Sequence, residues 1–192
     1  MAAPTLTELQ TIMTTLLGDA AITTTDEKNA LNAAILEVRG EMLVTATTTT
    51  PSAAATVSVP AGFVYVYAIE DDGEPLPDAS WRIREDATTP TIVFDINYFN
   101  TAPAGTLTIS GGTFQAVLSS SGDSLYIDSG YIMGRALAMC HSLRGGTESG
   151  FSTWHKQMAD WYQQFCERRY PQAIANFGPP SGARLVRGRL TV

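Results

Sequence analysis

The stretch Phe63-Val64-Tyr65-Val66-Tyr67-Ala68-Ile69 decides the fold class. It holds aromatic and β-branched side chains, which suit a pleated, half-buried surface, and it carries no helical stripe. Asp71-Asp72-Gly73 follows as a turn, with Gly where a positive φ is needed. Outward from it the period of two persists. Thr56-Val57-Ser58-Val59 alternates on one side; Trp81-Arg82-Ile83-Arg84, Thr91 to Ile96 and Thr106 to Ser110 alternate on the other. Short strands at this spacing predict a small antiparallel sandwich or barrel. Between 45 and 55 the chain is Thr- and Ala-rich and reads as a linker or a solvated entry into the β structure.

Beyond both flanks the period changes to that of a helix. Thr5-Leu6-Thr7-Glu8 has capping-box spacing, and Leu6, Leu9, Ile12, Met13, Leu16 and Leu17 recur at helical intervals before Gly18-Asp19. A second helix is predicted from Thr24-Thr25-Asp26-Glu27, with Leu31, Ile35, Val38 and Met42 inward. On the far side, Asp128 is the expected N-cap of a helix over 129–144 that turns Ile132, Met133, Ala136, Leu137, Cys140 and Leu143 inward. Ser152 caps a last helix over 153–169, and Pro171 is expected to stop it. The fold class is therefore α+β. A helical hairpin over 1–44 and a helix pair over 128–170 form one four-helix unit. An antiparallel β module is inserted over 45–127, and an extended tail follows over 171–192.

Composition allows a sizeable core: of 192 residues, 44% are hydrophobic and 16% charged. No apolar run approaches the roughly 20 residues of a membrane helix, and the first residues lack a signal core, so synthesis in a cytoplasm is expected. Cys140 and Cys166 fall on different helices without a CxxC spacing and are expected to be buried free thiols. The net charge of −7 is unevenly spread. Residues 1–128 carry 16 acidic and 4 basic side chains, whereas 129–192 carry 3 and 8. One end is thus suited to electrostatic docking on something acidic.

Residue by residue, the chemistry is sparse. Cys140 and His141 adjoin on one helix and project about 100° apart, so they do not share a metal readily. A thiol–imidazole pair would need His155 to fold back on Cys140, and no motif supports it. Glu70-Asp71-Asp72-Gly73-Glu74 lacks the alternating ligands of a calcium loop and reads as a solvated turn. Neither Gly111-Gly112 nor Gly145-Gly146 sits in a phosphate loop. The stripe Trp154, Met158, Trp161 and Phe165 reads first as core, because its spacing is helical, and second as an interface between subunits. The tail bears Arg184, Leu185, Val186, Arg187, Arg189 and Leu190, which can form a strand if offered a sheet edge.

In its order of pieces the chain resembles the tailed-bacteriophage head–tail connector (portal adaptor) family. The resemblance runs from about 5 to 170. It rests on a first helix ending in Leu17-Gly18-Asp19, a capped second helix with Asn29 to Asn32 and Glu37-Val38-Arg39, and a Val59-Pro60 entry into the β module. Asp128 then opens a helix pair whose last helix carries spaced aromatics. The β module is longer than the minimal family pattern.

The resemblance implies a non-catalytic virion subunit in the phage neck. It would form a homo-oligomeric ring of twelve between the portal protein and a tail or neck protein, pass DNA through its lumen and need no cofactor. Arg184, Leu185, Val186, Arg187, Arg189 and Leu190 would dock on the portal, and removing 171–192 is expected to leave the fold intact. The alternative is a β-sandwich module for carbohydrate or cell surface, with Tyr65, Tyr67, Trp81 and Tyr98 as its platform.

Overall fold

The computed structural model describes residues 2–18, 21–51, 55–85, 89–95, 105–146 and 152–186. The elements are α1 (Leu6–Leu17), α2 (Thr24–Glu37), β1 (Leu43–Pro51), β2 (Thr56–Ser58), β3 (Phe63–Asp71), β4 (Glu74–Pro75), β5 (Trp81–Glu85), β6 (Pro90–Phe94), β7 (Thr106–Phe114), α3 (Ser129–Gly145), α4 (Ser152–Phe177) and β8 (Arg184–Leu185). The α+β class read from the sequence is the class observed. The chain divides into two compact units. One is Met1–Met42 with Gln115–Gly178, and the other is Leu43–Phe114 with Pro179–Val192.

The helical unit is built on caps that the sequence spells out. Thr5 and Glu8 form the expected capping box on α1, and Gly18 closes that helix with φ 60°. The α2 box forms one residue earlier than expected, between Thr23 and Asp26, because Asp26 stands three residues into the helix and reaches back to the Thr23 N–H and hydroxyl. On α3, Asp128 accepts the Tyr131 N–H at 2.7 Å and receives both arms of Arg169, its carboxylate only 5% exposed. That forked pair joins the start of α3 to the distal part of α4 and satisfies a charge that would be costly if buried alone.

Two expected boundaries move. Residues 115–127 belong with the helices rather than the β module. Leu118, Leu125 and Ile127 are buried there, and the Asn32 side chain both donates to the Leu118 carbonyl and accepts the Leu118 N–H. Backbone bonds from Leu6 to Asp123 and from Leu125 to Pro4 tie the same segment to the start of α1.

The second correction concerns the tail. Pro171 does not stop α4, which continues to Phe177. A proline removes one hydrogen bond and costs about 3 kcal/mol in a helix interior. Full burial of Ala173, two residues on, offsets part of that cost, and the Gly178 N–H closes the end on the Ile174 carbonyl. Removing 171–192 would therefore cut into both units.

The β unit is two antiparallel sheets. One runs β1-β7-β3-β4 with β8 also on β3, and the other runs β2-β6-β5. Val59, Phe63, Val66, Ile69, Trp81, Ile92, Phe94, Leu107, Ile109 and Val186 form its core. The Thr-rich stretch is an ordered strand, β1, paired with β7 from Leu43↔Phe114 to Pro51↔Thr106. Threonine is β-branched, so it holds an extended edge while keeping a hydroxyl for water. Gly111 has a steric reason. A Cβ there would lie 2.3 Å from both the Phe63 ring and the Tyr65 carbonyl. Beside it β3 shifts register twice, between Phe63 and Tyr65 and between Val66 and Ala68.

Candidate interaction surface

Three of the six tail residues singled out in the sequence are placed, and they lie in the chain's own sheet. β8 pairs with β3 at Val66↔Arg184 and Tyr65↔Leu185. Val186 donates its N–H to the Val64 carbonyl at 2.8 Å and is fully buried. The Arg184 guanidinium lies 3.8 Å from the centroid of the Trp81 ring and donates to the Asp78 carbonyl. The expectation of a separate extended docking tail over 171–192 is corrected for Arg184, Leu185 and Val186, which pair with the chain's own β3. The sequence said that this segment becomes a strand when offered an edge, and β3 of the same chain offers one. Arg187, Arg189 and Leu190 lie outside the described residues.

The same packing removes part of the alternative aromatic platform. Trp81 is 3% exposed, in the core beneath Arg184, because the sandwich interior takes its indole. Tyr65 and Tyr67 are half-buried, and Tyr98 lies outside the described residues.

On α4 the expected inward stripe faces outward. Trp154 is 43% and Trp161 56% exposed, and Met158 and Phe165 are only half-buried. The buried residues are instead His155, Ala159, Tyr162, Cys166 and Ala173. Close approach to α3 explains the inversion. At Gly134 of α3 a Cβ would stand 2.9 Å from Phe165 and 3.0 Å from the Cys166 sulfur, so α4 meets α3 where small residues line the contact. Trp161 stacks on Phe165 with centroids 6.1 Å apart and meets Tyr162 edge-on at 4.8 Å. These contacts hold the indole in place while leaving its outer face bare.

Between α3 and α4 lies a polar pair the sequence did not anticipate. His155 meets His141, not Cys140, with Nδ1 to Nδ1 3.0 Å, and Tyr162 stacks over His141 at an interplanar angle of 12°. A hydrogen bond there needs one donor and one acceptor, so at least one imidazole is neutral. Both cysteines are buried and free, as expected. Burial pushes the Cys140 thiol up to about 12 and the Cys166 thiol up to about 11, so neither is a nucleophile at neutral pH. Among the described residues no group of three or more His, Cys, Asp or Glu could hold a metal ion. No described helix is long and apolar enough to cross a membrane. The acidic run Glu70–Glu74 is the β3–β4 turn, with Asp72 at φ 50° and Gly73 at φ 87°.

Two depressions follow the seam between α2 and α3. An apolar groove of about 560 Å³ is lined by Ala30, Ala33, Met139 and Leu143, with Asp26, Asn29 and Ser142 at its margin. Leu143, expected inward, is 63% exposed at this groove. Further along, a polar cleft of about 430 Å³ is bordered by Glu37, Glu41, Arg135, Gln163, Glu167 and Tyr170. Arg135 is forked onto Glu37 at 2.7 and 3.1 Å, and the Tyr170 hydroxyl donates to Glu41. Holding that proton against the Glu41 carboxylate pushes the Tyr170 phenol up to about 12. Every charge in the cleft is thus engaged, and the bare apolar surface lies on the groove and on the outer face of α4.

No family model matches the chain, and no curated protein matches it either.

Proposed function

We propose that the chain is a non-catalytic connector subunit of a phage neck, forming a ring that joins a portal protein to the tail and leaves a channel for DNA. The observation that carries this reading is the outward aromatic face of α4, where Trp154 and Trp161 stand exposed beside buried small and polar residues. Large rigid aromatics left bare on a well-capped helical unit are the composition of a subunit interface. The order of elements supports it as well: a capped helical hairpin, an inserted β unit and a second helix pair match the sequence resemblance to head–tail connectors.

Portal docking falls in this reading to Arg187, Arg189 and Leu190, since Arg184 to Val186 are engaged at home. Arg forks suit carboxylates on a portal surface. The test is negative-stain microscopy of purified portal rings with the full chain and with a chain ending at Val186. The full chain is expected to add a ring of density below the portal. The shortened chain is expected to keep its circular dichroism and thermal unfolding while losing that density. A full chain that never decorates portal rings would refute the reading.

A further inference from the structure

We propose that the His141–His155 pair is an acid-released latch on the α3–α4 hairpin. This goes beyond the connector reading and does not depend on it. His141 lies in the last turns of α3 and is fully buried; His155 lies in the first turn of α4 and is 3% exposed. Their Nδ1 atoms stand 3.0 Å apart, a distance that accommodates one hydrogen. With both rings neutral, one Nδ1 carries that hydrogen and the other accepts it. A first added proton goes to Nε2 of the donor ring and leaves the bond intact. A second has only the accepting Nδ1 to bind. It would set two N–H groups and two positive charges against each other in a buried place, so the contact must part.

Other groups tune this step without removing it. Tyr162 stacks on His141 with ring centroids 5.7 Å apart, and Trp154 meets both imidazoles edge-on, at 5.3 and 4.8 Å. From α2, the charges of Glu27 and Asp26 act on the neighbouring Cys140. From α1 the one carboxylate is Glu8, which is held by Thr5. Lys156 and Asp160 of α4 border a depression with Ser142 and Gly145 of α3, and Arg144 lies beside them in the chain. Glu148, in the connection, lies outside the described residues. Carboxylates among these ease the arrival of the first proton; none changes the room between the two Nδ1 atoms. The far end of the hairpin is held by the forked Asp128–Arg169 pair, which contains no imidazole. Acid therefore loosens the end that carries His155 and Trp154, and the opening bares the inner side of the Trp154 ring.

The chain has only two histidines, so its imidazole NMR signals belong to this pair alone. Imidazole nitrogen spectra of the full chain at about pH 8 are expected to show a single Nδ1–H shared by the two rings. An imidazole in water takes up its proton near pH 6.5. Below that pH the unfolded chain binds two extra protons where the closed pair binds one, so stability falls as pH falls. In denaturant unfolding between about pH 6 and 5, the folding constant of the wild type is expected to drop by up to about tenfold more than that of His155→Gln, whose amide serves His141 as donor or acceptor. Amide hydrogen exchange over 152–160 should quicken in the same range, while that over 162–177 stays slow. Both rings protonated on Nε2 alone at about pH 8 would overturn the inference. So would two imidazolium rings with exchange over 152–160 unchanged, or a wild-type pH dependence equal to that of His155→Gln. Should that variant fail to fold, the wild-type spectra and exchange decide by themselves.

Discussion

The two units place their tryptophans oppositely. In the β unit the largest side chains go inside: Trp81, Phe63 and Phe94 lie between the sheets, and the C-terminal strand brings Val186 in with them. Between α3 and α4 Tyr131 and Tyr162 are inside too, but the tryptophans are not. Gly134, Ala138, Ala159, Cys166 and the His141–His155 pair are inside, while Trp154 and Trp161 are out. A sandwich core must fill about 10 Å between sheets and needs bulk. Two helices can instead close to the distance their smallest facing residues allow, which leaves bulky neighbours on the flank. The lesson is that a periodic aromatic stripe marks one face of a helix without saying which side that face is on.

The comparison is most sharply tested on the β unit. Ending the chain at Ala183 removes β8, the buried Val186 and the Arg184–Trp81 contact. It is expected to lower stability by about 3 kcal/mol or more, from side-chain burial and the cation–π contact together. Ending it at Val186 should leave the denaturant midpoint unchanged. Equal midpoints for the two truncations would show that the tail strand contributes nothing.

A smaller effect contrasts the two sides of α4. Gly134→Val adds bulk where even a Cβ would stand 2.9 Å from Phe165, and is expected to cost about 1–3 kcal/mol. Trp161→Ala on the outer side is expected to cost the isolated subunit less, about 1 kcal/mol, from its contacts with Phe165 and Tyr162. The reverse ranking in urea unfolding would mean that the tryptophan face is the structural one.

A separate effect is confined to alkaline pH. Burial holds Cys140 at about 12 and Cys166 at about 11, above the roughly 8.5 of an unfolded thiol. The stabilisation from keeping them protonated is complete below about pH 8.5 and is lost as pH rises through the folded values. Replacing both with Ala should flatten the fall in melting temperature across that alkaline range. Native wild-type protein should react with a thiol reagent only at the rate at which it opens.

Much of this fold was legible in the chain. Thr5 with Glu8, Asp128 before Tyr131, the change of period near Thr56 and the Asp72-Gly73 turn are local signals, and each produced the element it announces. The tail was legible as a potential strand but not as this chain's own strand, because pairing with β3 lies in residues more than a hundred positions away. The His141–His155 pair was hidden although only 14 positions separate its members. Its two halves sit on separate helices, and no spacing rule connects them.

What the sequence alone determined is therefore where the backbone is helical, where it is extended and which residues begin and end those runs, since caps, turns and periodicity act within a few residues. Tertiary structure alone decided the rest. It set which face of α4 is inside, that α4 runs on past Pro171, and that Arg184 rests on Trp81. Each of these is a choice between competing long-range contacts, decided by how closely two elements can approach and which polar groups find partners when they do.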